Sequence, residues 1–202
     1  AAVVLVFLAY AIVQSGSPSP GMANADLAQS DGSPNLPGLY IPPHPGVDGL
    51  LGTDDDRQHV APGTSIPYCT NEALPKAAAP EPVCYASKPP TSGPHSSSPM
   101  PFKILEASAP KESLVHNMEH GGVVVWVNVS DPIVLSELRA VVRDALDRRR
   151  LVVLTPYPDL EPKTIAITSW TRVEQLTASE YTKERIESFN YLVDSGRTTN
   201  GF

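Results

Sequence analysis

The sequence predicts an α+β domain: a small mixed β-sheet with two helices on one face, preceded by a membrane segment and a long proline-rich extended arm. Three observations carry that prediction. Most of the 22 prolines lie between Pro18 and Pro110, whereas the apolar periodic segments follow Leu114, so the core belongs to the C-terminal half. Residues 123–129, VVVWVNV, are β-branched and apolar on both faces, as a central strand must be. Two later stretches carry helical periods behind capping signals.

In chain order, residues 1–14 open with AAVVLVFLAYAIV, uncharged and almost wholly apolar. A bilayer needs about 20 such residues. The stretch therefore reads as the outer part of an N-terminal membrane anchor, with the h-region of an uncleaved signal as the competing reading. Residues 15–56 are rich in Pro, Gly, Ser and Asp and show no period, which predicts an arm unable to fold alone. Leu36, Leu39, Tyr40 and Ile41 are apolar exceptions in it, expected to bind a partner surface, either this domain or a neighbouring subunit. His44, within PPHPG, reads as a surface histidine.

Residues 57–202 are expected to form one extracytoplasmic domain. Cys69 and Cys84 bracket TNEALPKAAAPEPV, a loop with three prolines and no apolar pattern. A disulfide there would contribute roughly 3 kcal/mol in the chain-entropy picture and suits an oxidising compartment. Two thiolate metal ligands are the alternative, but the spacing lacks a Cys-x-x-Cys hairpin. Next come Pro89-Pro90 and Gly93-Pro94, which force an aperiodic rigid path onto His95.

Leu114 to His120 places His116 and His120 four residues apart, one helical turn on one face. Gly121 and Gly122 then release the chain into the central strand. Ser130-Asp131-Pro132 starts a helix with an inward stripe of Val134, Leu138, Val141, Val142 and Ala145. A second strand spans Leu151 to Thr155, and a third, Lys163 to Trp170, joins it through PYPDLEP. A strand, helix, strand and hairpin in that order imply one parallel and one antiparallel pair. Thr177-Ala178-Ser179-Glu180 is a capping box opening a helix to about Asp194, with Tyr181, Ile186, Phe189 and Val193 inward.

The charge of −7 leaves no basic surface for nucleic acid, and Arg148 to Arg150 are explained by a helix C-terminus. Four of the five histidines, His59, His95, His116 and His120, stand beside rigid turns or on one helical face. Three or four imidazoles suit a transition metal, and Met100 and Met118 lean the choice slightly to copper over zinc. Glu119 lies one residue before His120, in HNMEH, so it is not the general base of a His-Glu-x-x-His peptidase.

Arg57-Gln58-His59-Val60, PPTSGPH over residues 89–95 and LVHNMEHGG over residues 114–122 are similar to the recurring motifs of the bacterial, membrane-anchored domain-of-unknown-function family 3105. The resemblance spans Arg57 to Asp194. It implies a shared histidine site and an α+β region behind a membrane segment, but no activity. The family pattern carries leucine where Met118 stands, which argues against that thioether as a ligand. The expected function is a membrane-anchored, periplasmic, metal-binding domain with no indicated catalysis. The alternative is an accessory subunit of a respiratory or photosynthetic membrane complex, with anchor and arm docked on partner subunits.

Overall fold

The computed structural model describes residues 37–41, 57–69 and 84–194. Along the chain run β1 (Leu39–Tyr40), β2 (His59–Val60), β3 (His95–Ser96), α1 (Lys111–Glu119), β4 (Val123–Asn128), α2 (Pro132–Asp147), β5 (Val152–Pro156), β6 (Thr164–Ser169), β7 (Arg172–Thr177) and α3 (Lys183–Asp194). The architecture is α+β, with a five-stranded mixed sheet in the order β1-β7-β6-β4-β5 and a two-stranded sheet of β2 and β3.

β4 lies between two paired neighbours, as its two apolar faces require. It runs parallel to β5, with Val123 opposite Val152, and antiparallel to β6, with Val124 opposite Thr168. Alternation divides its side chains between two cores. Val123, Val125 and Val127 pack with Leu138 and Val142 of α2 and with Ile186 and Phe189 of α3. Val124 and Trp126 face the other way, onto Leu114, Val115 and Met118 of α1. The two helices with capping signals thus share one face, and α1 lies on the opposite one.

Asp131 caps α2 by accepting from the backbone N–H of Ile133 and Val134, with Pro132 at the first helical position. At the other capping signal, Glu180 accepts from Thr177 N–H at 2.9 Å, yet α3 begins only at Lys183. The capping residues close a turn ahead of the helix instead of its first turn.

The topology departs from expectation at the third strand. β6 does not form a hairpin with β5; it pairs on the far side of β4. Asn128, at the end of β4, grips the crossing connection: its side chain donates to Leu160 O at 2.6 Å and its carbonyl accepts from Lys163 N–H at 2.7 Å. The hairpin is formed by β6 with β7, a strand the sequence reading passed over, through Trp170 and Thr171, the latter at φ +61°. No Asn-Gly or Asp-Gly pair marks that turn.

Three of the arm's apolar residues meet one of the two surfaces expected for them, this domain. Leu39 and Tyr40 pair antiparallel with Val173 and Arg172, and Ile41 is buried, donating its N–H to Thr171 O at 2.9 Å. These three residues therefore dock on the domain's own β7, whose edge would otherwise leave backbone groups open. Gly38 permits the approach at φ +76°, where a Cβ would meet Phe189 and the Val173 carbonyl at 2.7 Å. Leu36 and His44 lie outside the described residues, as does the apolar segment 1–14. Among the described residues no helix is long and apolar enough to cross a membrane.

Cys69 and Cys84 are joined by a disulfide. Beside it, Cys69 N–H donates to Tyr85 O and Tyr85 N–H donates to Pro67 O, both at 2.9 Å. The bridge ties the segment bearing His59 to the segment leading to His95.

Candidate metal centre

Three elements bring the histidines together. In the parallel pair of β2 and β3, His59 lies directly opposite His95. His95 is the wholly buried end of the proline-rich loop, whose course is set by Tyr85: its hydroxyl donates to Pro94 O at 2.9 Å and its ring lies 3.2 Å from where a Cβ on Gly93 would stand. α1 supplies His116 and, three residues on, Glu119.

The three rings form a near-equilateral group. His59 and His116 stack at 5.1 Å, while His95 stands edge-on to both at 5.0 and 5.1 Å. Glu119 Oε2 reaches His95 Nε2 at 2.9 Å and His59 Nε2 at 3.8 Å. One donor atom from each of His59, His95, His116 and Glu119 lies within 4.8 Å of all the others. Tetrahedral bonds of 2.0–2.1 Å would hold donors about 3.4 Å apart, so a small inward closure completes a four-ligand shell.

The hydrogen bonds fix which ring nitrogens carry the protons. His95 Nδ1 faces Gly93 O at 2.8 Å and His116 Nδ1 faces Ser96 O at 2.7 Å. A carbonyl only accepts, so each Nδ1 carries its ring's proton and each Nε2 keeps a lone pair, that of His95 facing Glu119 and that of His116 facing His120. Burial pushes both imidazoles below the ordinary histidine range, against the opposing pull of those carbonyls and of Glu119. A neutral His95 therefore presents a lone pair to a carboxylate oxygen at 2.9 Å. Two acceptors at that distance require a proton or a cation between them.

His120 stands apart from this shell. It is the exposed C-cap of α1, and its Nε2 meets His116 Nε2 at 2.9 Å, where it can only be the donor. Glu119 enters the group instead, a residue that sequence reasoning weighed only as a base. The overlooked signal was its helical spacing of three from His116, which places both on one face.

Met118 is fully buried among the apolar residues under the sheet and Met100 packs against the same cluster, so both thioethers have a packing role. Asn117, also fully buried, clamps the chain ahead of α1: its amide donates to Met100 O at 2.7 Å and accepts from Met100 N–H at 2.9 Å. Gly121 turns the chain out of α1 at φ +78°. Gly122 donates to Asn117 O at 2.8 Å in a space where a Cβ would lie 2.5 Å from that oxygen.

A protein family of unknown function, DUF3105, matches residues 76–200, more than half of the chain. The protein belongs to DUF3105. The match takes in His95, His116, Glu119 and His120, whereas His59 precedes it, so the resemblance read from Arg57 onward is narrower at its N-terminal end. No curated protein and no solved structure matches the chain.

Proposed function

We propose that this DUF3105 protein binds one divalent transition-metal ion through His59, His95, His116 and Glu119, with His120 at the rim giving up its hydrogen bond to His116 Nε2 when the ion binds. The observation that carries this reading is the convergence of four donors from three elements, two with their proton tautomer set by backbone carbonyls, around a lone pair and a carboxylate that a cation would bridge. Three imidazoles and one carboxylate form a borderline donor set suited to Zn²⁺ or Fe²⁺ as well as to copper. When bound, the ion would supply Lewis acidity or redox capacity. The chain's own part is to hold His95 and His116 neutral and aimed, and to leave the half-exposed His59 side open to solvent.

Residues 1–14 and 15–56 are read as a membrane anchor and tether, with the domain outside the cytoplasm; the disulfide supports that placement. The accessory-subunit alternative drew on the apolar arm residues, three of which are taken up by the domain's own sheet.

Elemental analysis and native mass spectrometry of protein isolated from membranes test the reading. About one metal ion per chain is expected, lost in His95→Ala and His116→Ala. Glu119→Gln, which keeps shape but removes charge, should weaken binding roughly ten- to a hundredfold. Metal-free protein that also fails to take up Zn²⁺, Fe²⁺ or Cu²⁺ on reconstitution would overturn it.

A further inference from the structure

We propose that the Cys69–Cys84 disulfide governs metal retention at the histidine site by holding His59 in place. The inference rests on the metal-binding reading above. Of the four donors, His95, His116 and Glu119 are buried or nearly so, whereas His59 alone comes from residues 57–69 and has about half its side-chain surface exposed. That segment is secured at two ends. Beside the ligand, Gln58 O accepts from His95 N–H at 2.9 Å. Away from it, Ile66 N–H donates to buried Glu112 of α1 at 2.8 Å, residues 67–69 join Tyr85, and the disulfide closes the connection covalently.

The far end is thus wired to both partners of His59. Glu112 lies on the helix that carries His116 and Glu119, and Tyr85 holds the carbonyl of Pro94 next to His95. With the bridge intact, His59 is presented to the other donors in advance. Without it, residues 57–69 are held by non-covalent contacts alone, Val60, Ile66 and Tyr68 on the core and Arg57 over Trp170, and the exposed fourth ligand is the first to leave. Cys84 is buried and Cys69 half-buried, so exchange with a small dithiol begins from the Cys69 side. In that step the Sγ–Sγ bond breaks, two electrons and two protons convert the sulfurs to thiols, and the dithiol becomes a disulfide. The site would be complete in an oxidising compartment and incomplete in a reducing one.

The test measures Zn²⁺ affinity by competition with a chromophoric chelator. The forms compared are the oxidised protein, the same protein reduced with a dithiol and alkylated, and the Cys69→Ser/Cys84→Ser variant; alkylation and serine both prevent the freed thiols from binding zinc. Both bridge-free forms should bind roughly ten- to a hundredfold more weakly, the entropy of closing a ring of this size setting the upper end. His59→Ala should show a similar loss in the oxidised state, and removing the bridge from it should add nothing further. Equal affinity with and without the bridge overturns the proposal, as does a full additional loss in the His59→Ala background. Loss of the near-ultraviolet signal of Trp126 and Trp170 in both bridge-free forms also overturns it, since the bridge then holds the fold and not the ligand. An oxidised parent that binds no zinc, iron or copper would instead overturn the metal reading itself.

Discussion

Replacing Asn117 with alanine should destabilise the domain by about 3 kcal/mol, although the residue is no donor to the metal group. Its side chain is wholly buried and makes both of its bonds to one backbone unit, the N–H and carbonyl of Met100. Each neutral bond contributes about 1 kcal/mol net, and stranding a partly buried backbone partner costs about 1 kcal/mol more. Water reaches Met100 in part, so the sum falls below the limit for two fully buried orphans. For a domain of this size the loss lowers the melting temperature by roughly 6–12 °C. Asn117→Asp tests the same geometry: it keeps an acceptor for Met100 N–H but turns an oxygen towards Met100 O, and should melt at least as low at neutral pH. Thermal unfolding followed by near-ultraviolet circular dichroism reads both variants. An alanine variant within 2 °C of the parent would refute the account of the clamp, as would an aspartate variant more stable than the alanine one.

The two adjacent glycines should differ. Gly121→Ala puts a side chain on a left-handed backbone, costing about 1 kcal/mol, whereas Gly122→Ala drives a methyl into Asn117 O and should cost about 3 kcal/mol; equal denaturation midpoints would contradict this. The tyrosines set an alkaline limit. Burial raises Tyr157 to about 12 and pushes Tyr68, in hydroxyl contact with it, still higher, while unfolded tyrosine ionises near 10. The fold disfavours tyrosinate, so this contribution is intact below pH 10 and is lost as pH rises from 10 through 12. Spectrophotometric titration should find these two groups ionising only with unfolding, and ionisation alongside free tyrosine in folded protein would count against it.

Legibility followed locality. The central strand, the Asp131 cap with its proline and the apolar stripe of α2 were read correctly because each is set by neighbours within a turn or two along the chain. β7 was missed because RVEQLT has little apolar weight and its turn lacks a glycine. The crossing of β6 to the far side of β4 was equally hidden, since it depends on Asn128 gripping residues more than thirty positions away.

The histidine group shows the same division. From the sequence alone came the residue types, the helical spacing of His116 and His120, and the rigid loop before His95. Tertiary structure decided which donors converge: the register of β2 against β3 sets His59 beside His95, and the docking of α1 on Ser96 aims His116 inward while leaving His120 at the rim. It also brought Glu119 to His95, because a carboxylate's partner depends on which loop the helix face meets, and no spacing along the chain records that meeting. Met118 was sent to the core for the same reason: its face of α1 is the one that the sheet covers.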